Sequence, residues 1–141
     1  MLAAMFESPV GRWECWSSRL RSVLRIVAAF TFLLAGTTKL FGFPGEQPPH
    51  LNAQLHVAGV VETAGGALLL LGLLTRPVAF ILAGEMAVAY FQVHFPRGFW
   101  PVANGGVAAV LYCFIWLYFS AAGPGPWSAD AAIVRRRSEG S

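Results

Sequence analysis

Between Val23 and Ala122 the chain carries four long apolar stretches, and each contains side chains that hydrocarbon disfavours. These are Arg25 and Lys39 in the first, Glu62 in the second, Glu85 and His94 in the third, and Asn104 in the fourth. Stretches of about 18 to 20 residues without strand alternation match the length a helix needs to cross a bilayer. The predicted fold is therefore all-α: a four-helix transmembrane bundle of antiparallel helices. Composition agrees, with 56% apolar and only 12% charged residues and a mean hydropathy of +0.58. Soluble domains run nearer to about 45–50% and about 25%, so this chain cannot clothe itself in polar surface. Ionisable groups inside such segments must face the bundle interior, and the function is sought among them.

The spans are read as 23–41, 55–74, 78–95 and 103–121, inside a membrane domain covering 23–122. Residues 1–22 form a cytoplasmic or interfacial tail with Trp13, Trp16, Arg12, Arg19 and Arg21, and 123–141 form a basic tail ending in Arg135, Arg136 and Arg137. Met1 to Gly11 contains Glu7 and Pro9 but no Arg or Lys, so it lacks the pattern of a cleaved secretory signal and is expected to stay attached. Gly42-Phe43-Pro44-Gly45 ends the first span. Thr75-Arg76-Pro77 makes a short turn between the second and third, and Pro96 to Pro101 breaks the chain before the fourth. Cys15 and Cys113 are too far apart in this arrangement to pair.

Short cytoplasmic loops collect Lys and Arg. With four spans both tails share a side, which holds Arg12, Arg19, Arg21, Arg76 and Arg135 to Arg137, against only Lys39 and Arg97 opposite. Both termini are expected in the cytoplasm, and the chain in a bacterial inner membrane. The arginine tail suits the anionic inner leaflet rather than nucleic acid.

Helical spacing places Arg25, Ala29, Phe32, Gly36 and Lys39 on one face of the first span, and Ala58, Glu62, Gly65, Leu69 and Gly72 on one face of the second. Small residues beside a charge allow close approach, so Glu62 is expected to meet Lys39 or another donor rather than lipid. Each polar group has a plain structural alternative. Glu62 serves a site or a structural ion pair; Glu85, on a stripe with Ala89 and Gln92, lines a cavity or glues helices. His94 carries protons or bonds headgroups. Asn104, followed by Gly105 and Gly106, caps a helix start, and Lys39 and Arg25 snorkel from span ends.

No CxxC, HExxH, GxSxG, Walker or dinucleotide fingerprint is present, and the histidines do not suit a bis-histidine haem. No catalytic residue, metal site or covalently bound cofactor is expected. The ordered set Lys39-Leu40-Phe41-Gly42-Phe43-Pro44-Gly45, Glu62 with Gly65-Gly66, Gly72-Leu73-Leu74-Thr75-Arg76, Ala89-Tyr90-Phe91 with His94 and Pro96, Asn104-Gly105-Gly106, Leu111-Tyr112-Cys113-Phe114 and Gly123-Pro124-Gly125-Pro126-Trp127-Ser128 with Asp130 resembles the DoxX family of small four-helix bacterial membrane proteins. The family pattern follows Asn-Gly-Gly with a glutamate, where this chain has Val107.

The resemblance implies a link to quinone-dependent oxidoreductases, some of whose membrane subunits are similar. On that reading the chain is a membrane subunit that binds a quinone or similar lipophilic molecule in a polar pocket in the outer half of the bundle. Glu62 and His94 exchange protons, Lys39 and Asn104 orient the ring, and Glu85 and Arg25 contribute to the pocket. The redox centres then belong to a soluble or peripheral oxidoreductase partner, and the glycine-rich faces leave a homo-oligomer open. The alternative is a non-enzymatic carrier or assembly factor whose polar core is structural. A channel fits poorly, because Phe, Leu and Tyr fill the bundle and leave little room for a water path.

Overall fold

The computed structural model describes residues 9–50 and 52–140. Its helices are α1 (Pro9–Phe41), α2 (Ala53–Leu71), α3 (Thr75–Ala89), α4 (Pro101–Asn104), α5 (Val107–Ala122) and α6 (Ala129–Glu139), with no strand among the described residues. Beyond Ala89, α3 widens into a π turn over Tyr90–His94 and a 3₁₀ turn over Phe95–Arg97. Trp13–Phe41, Ala53–Leu71 and Thr75–Arg97 are each long and apolar enough to cross a bilayer, and Val107–Ala122 is a shorter apolar helix. The reading of Met1 to Gly11 falls largely on residues outside those described.

The helices differ from the expected spans at their ends. Helix α1 continues back to Pro9, well before Val23, because its polar first turns extend past the apolar run. Helix α2 stops at Leu71, where Gly72 takes the left-handed conformation and its N–H bonds the carbonyls of Leu68 and Leu69. The fourth span is split. Asn104 ends α4, Gly105 turns the chain at φ 74°, and α5 starts at Val107.

Helix α1 packs chiefly on α2 and α3 chiefly on α5, with α2 against α3 joining the pairs. The first contact is closest at Gly36, where an added Cβ would stand 2.6 Å from the backbone nitrogen of Thr63. Backbones approach this closely only where side chains are absent, the small-residue packing that replaces hydrophobic driving force within lipid. Phe32, Leu69, Leu82, Trp116 and Phe119 form the interior, and Phe32 meets Trp116 edge-on with ring centres 5.4 Å apart. The faces predicted for α1 and α2 are the buried ones: Arg25, Ala29, Phe32, Glu62 and Leu69 are all nearly inaccessible. Phe30, Phe80 and Phe114 are exposed on the outside of the bundle, as a lipid-facing belt requires.

Two ends of the bundle are distinct. At one, the start of α1, the α2–α3 turn and the C-terminal segment come together around Arg25. Its Nε donates to the Pro124 carbonyl at 3.0 Å, Nη1 to Leu70 at 2.8 Å and also to Leu69, and Nη2 to Trp127 at 2.5 Å. Ser22 accepts from the Trp127 N–H at 3.2 Å. Asp130 accepts from the N–H groups of Leu74 and Thr75, both at 2.9 Å, and so caps α3 from a distant part of the chain. Leu74 is held at φ 50°, a strained value for a leucine. The Gly-Pro-Gly-Pro-Trp-Ser motif thus delivers carbonyls to a buried cation. The basic tail beyond it is ordered as α6, capped by the Ser128 hydroxyl on Ala131 N–H at 3.1 Å.

Candidate functional site

The other end holds a cavity of about 680 Å³ between α2 and α3, lined by Lys39, Asn52, Gln54, Glu62, Glu85 and His94 among apolar residues such as Val61, Ile81, Met86 and Val93. Asn52 is there because it caps α2, its Oδ1 accepting from the Leu55 N–H at 2.8 Å. Lys39 arrives from the last turn of α1, and Glu62 from the buried face of α2.

Lys39 Nζ donates to both carboxylate oxygens of Glu62, in an ion pair whose acid is almost wholly buried and whose lysine side chain is 26% exposed. Charges taken out of water are tolerated when paired in this way. Glu85, on the facing helix, lies in the electrostatic field of both partners. Neither of its carboxyl oxygens has a hydrogen-bond partner, and both are buried. Among the described residues no cluster of His, Cys, Asp and Glu could hold a metal ion.

His94 lines the same cavity from the π turn. Its ring stacks on Tyr90 with centres 6.4 Å apart, and Nδ1 lies 3.2 Å from the Asn104 carbonyl. The π turn sets this placement, since one extra residue per turn rotates everything after Tyr90 relative to α3.

Two residues expected in the pocket lie outside it. Arg25 is at the opposite end, consumed by the four carbonyls described above, because a guanidinium buried that deeply needs most of its donors satisfied. Asn104 is buried behind His94 and serves the chain break. Its Oδ1 accepts from the Gly106 N–H at 2.8 Å and its Nδ2 donates to the Gly98 carbonyl at 2.7 Å, while Tyr90 OH donates to the Phe99 carbonyl. The expected cap on the fourth helix is not what it makes: Asn104 ends α4, Gly106 is the N-cap of α5 without a side-chain cap bond, and the Asn104 amide instead braces the chain between Gly98 and Gly106. Val107 opens α5, 40% exposed, and is not in the cavity wall.

Gln54 is a cavity residue that helical spacing does not single out, and its partner Gln92 belongs to the polar stripe of Glu85. Gln54 lines the cavity and donates from Nε2 to Gln92 Oε1, tying α2 to the π turn. The only sequence signal for Gln54 is an amide at the start of an apolar segment. Cys15 and Cys113 are both free thiols, as expected.

The DoxX family profile matches residues 20–95, which carry Lys39, Glu62, Glu85 and His94. The chain belongs to the DoxX family. A protein of Haemophilus influenzae described as uncharacterized is 47% identical over 120 residues, covering 80% of this chain and 90% of that one. An uncharacterized membrane protein of Mycobacterium tuberculosis is 29% identical over 134 residues, covering 80% of each. No solved structure matches significantly. Sequence, helix lengths and family agree that this DoxX protein is an integral membrane protein.

Proposed function

We propose that this DoxX protein is the membrane subunit of a quinone-linked oxidoreductase system in a bacterial inner membrane, with both tails cytoplasmic, and that the cavity between α2 and α3 receives a quinone or a similar lipophilic ring. The observation that carries this reading is Glu85: a carboxyl group buried in a cavity wall with both oxygens unpartnered, facing an intact ion pair. Buried polar groups are ordinarily hydrogen-bonded, and an orphan costs roughly 1–3 kcal/mol. A ligand bearing a carbonyl or hydroxyl would supply the missing partner. The volume falls within the range of about 300–1,000 Å³ usual for small-molecule sites, and apolar walls with a few convergent polar groups are their usual lining.

The residues fit a quinone head group. Lys39 donates toward a ring carbonyl, Glu85 accepts from a ring hydroxyl or donates when protonated, and His94 at the cavity edge passes protons outward past the Gln54–Gln92 pair. The bound ring would supply the electron-carrying couple, and the electron donor or acceptor lies in a separate oxidoreductase partner. Glu62 holds Lys39 in place.

The test is to purify the protein in mild detergent from bacterial membranes and to extract bound quinone. Wild type should retain it, and Glu85→Gln and Glu62→Gln, checked for unchanged helicity and thermal unfolding, should retain about tenfold less, the effect of losing about 1.4 kcal/mol. Absence of quinone from wild type would instead favour a structural polar core in a carrier or assembly factor.

A further inference from the structure

A second cavity, of about 820 Å³, lies at the Arg25 end of the bundle and shares no lining residue with the pocket just described. Its lining includes Arg21 of α1, Arg76 of α3, and Arg135 and Arg137 of α6, with apolar surface from Leu74 and Ile133. One acid, Asp130, is in the lining, and its two oxygens already accept from Leu74 and Thr75 N–H. Positive charge therefore dominates. Arg21 and Arg76 each use Nη1 on carbonyls at the end of α5, Ala122 for the first and Ser120 and Ala121 for the second. This fixes both side chains in position while leaving the rest of each five-donor fork available. Leu74 is 58% exposed, Ile133 41% and the adjacent Val134, also in the lining, 67%.

The setting decides what such a cavity takes. It sits at the Arg25 end of the bundle, so its occupant meets both cations and exposed aliphatic groups. A small free anion would satisfy only the first. We propose that this cavity is a discrete binding site for an anionic phospholipid, its phosphate held among Arg21, Arg76 and Arg135 and its acyl chains lying along Leu74, Ile133 and Val134. Guanidinium forks match phosphate oxygens in charge and geometry. Helix α6 then acts as one wall of the site, beyond any diffuse attraction of a basic tail to the leaflet.

Native mass spectrometry of the full chain in neutral detergent, titrated with phosphatidylglycerol or phosphatidylcholine, tests this. Phosphatidylglycerol should bind with one-to-one stoichiometry and about tenfold preference over phosphatidylcholine, as expected for a site of clustered arginines. Arg135→Gln, at an exposed position of α6, should reduce the preference severalfold at unchanged thermal stability, and Arg135→Lys should restore part of it. Equal binding of the two lipids, or full preference in the glutamine variant, would overturn the proposal. So would displacement of phosphatidylglycerol by millimolar inorganic phosphate, which would make the cavity a small-anion site.

Discussion

Lys39, Glu62 and Glu85 put a buried ion pair and an unpartnered carboxyl group side by side, and the two predict opposite responses to substitution. Lys39→Met strands the Glu62 carboxylate and should lower stability by about 3–5 kcal/mol, while Lys39→Met/Glu62→Leu should recover most of that loss, because an apolar pair of similar volume removes the desolvation cost altogether. Thermal unfolding in detergent measures both. Glu85→Met should go the other way, raising the unfolding temperature by removing an orphan acid and at the same time eliminating quinone retention. A rise in stability with retention unchanged would sink the site. The Lys39–Glu62 meeting was legible from three- and four-residue spacing alone, because both residues lie on faces marked by small neighbours. The fates of Arg25 and Asn104 were not. Their partners are backbone carbonyls and amides contributed by Pro124, Trp127, Gly98 and Gly106, and no side-chain pattern announces where a carbonyl will point.

Helices α1 and α2 are locked by backbone proximity, which a single substitution can test. Gly36→Leu should force the pair apart and cost about 1–3 kcal/mol or more. Gly84 in α3 has no atom within 4 Å of where a Cβ would stand, so Gly84→Ala should stabilise slightly, by about 0.5–1 kcal/mol, through helix propensity alone. Comparing the two unfolding midpoints separates close packing from propensity. Hydropathy locates the four apolar elements but does not mark where their helices begin and end, for identifiable reasons. It cannot see α1 continuing through polar turns to Pro9, since helical hydrogen bonding does not stop where the apolar run begins. It cannot see the π turn at Tyr90–His94, which changes register without changing composition, and so the convergence of His94 with Glu85 depends on a feature absent from any periodicity. Helix α6, with Arg135 to Arg137 in its C-terminal half, lacks the apolar stripe that would have marked it as a packed element.

For the molecule as a whole, the bundle has a basic end, built from Arg21, Arg25, Arg76 and the α6 arginines, and a far end with Lys39 and Arg97. If charge sets the topology, Cys15, exposed near the start of α1, should react with a membrane-impermeant maleimide only in inverted vesicles. His50→Cys, in a chain lacking Cys15 and Cys113, should react only in intact cells stripped of their outer barrier. Labelling of both positions from one side would reverse or abolish the assigned orientation. The Arg25 hub carries a consequence for biogenesis. Two of its carbonyl ligands, from Pro124 and Trp127, are translated about a hundred codons after the cation itself, so the nascent chain enters the translocon with this arginine incompletely ligated. A ribosome stalled before Pro124 should therefore leave an intermediate that quality-control proteases recognise, and release of the finished polypeptide becomes the step that commits it to the membrane.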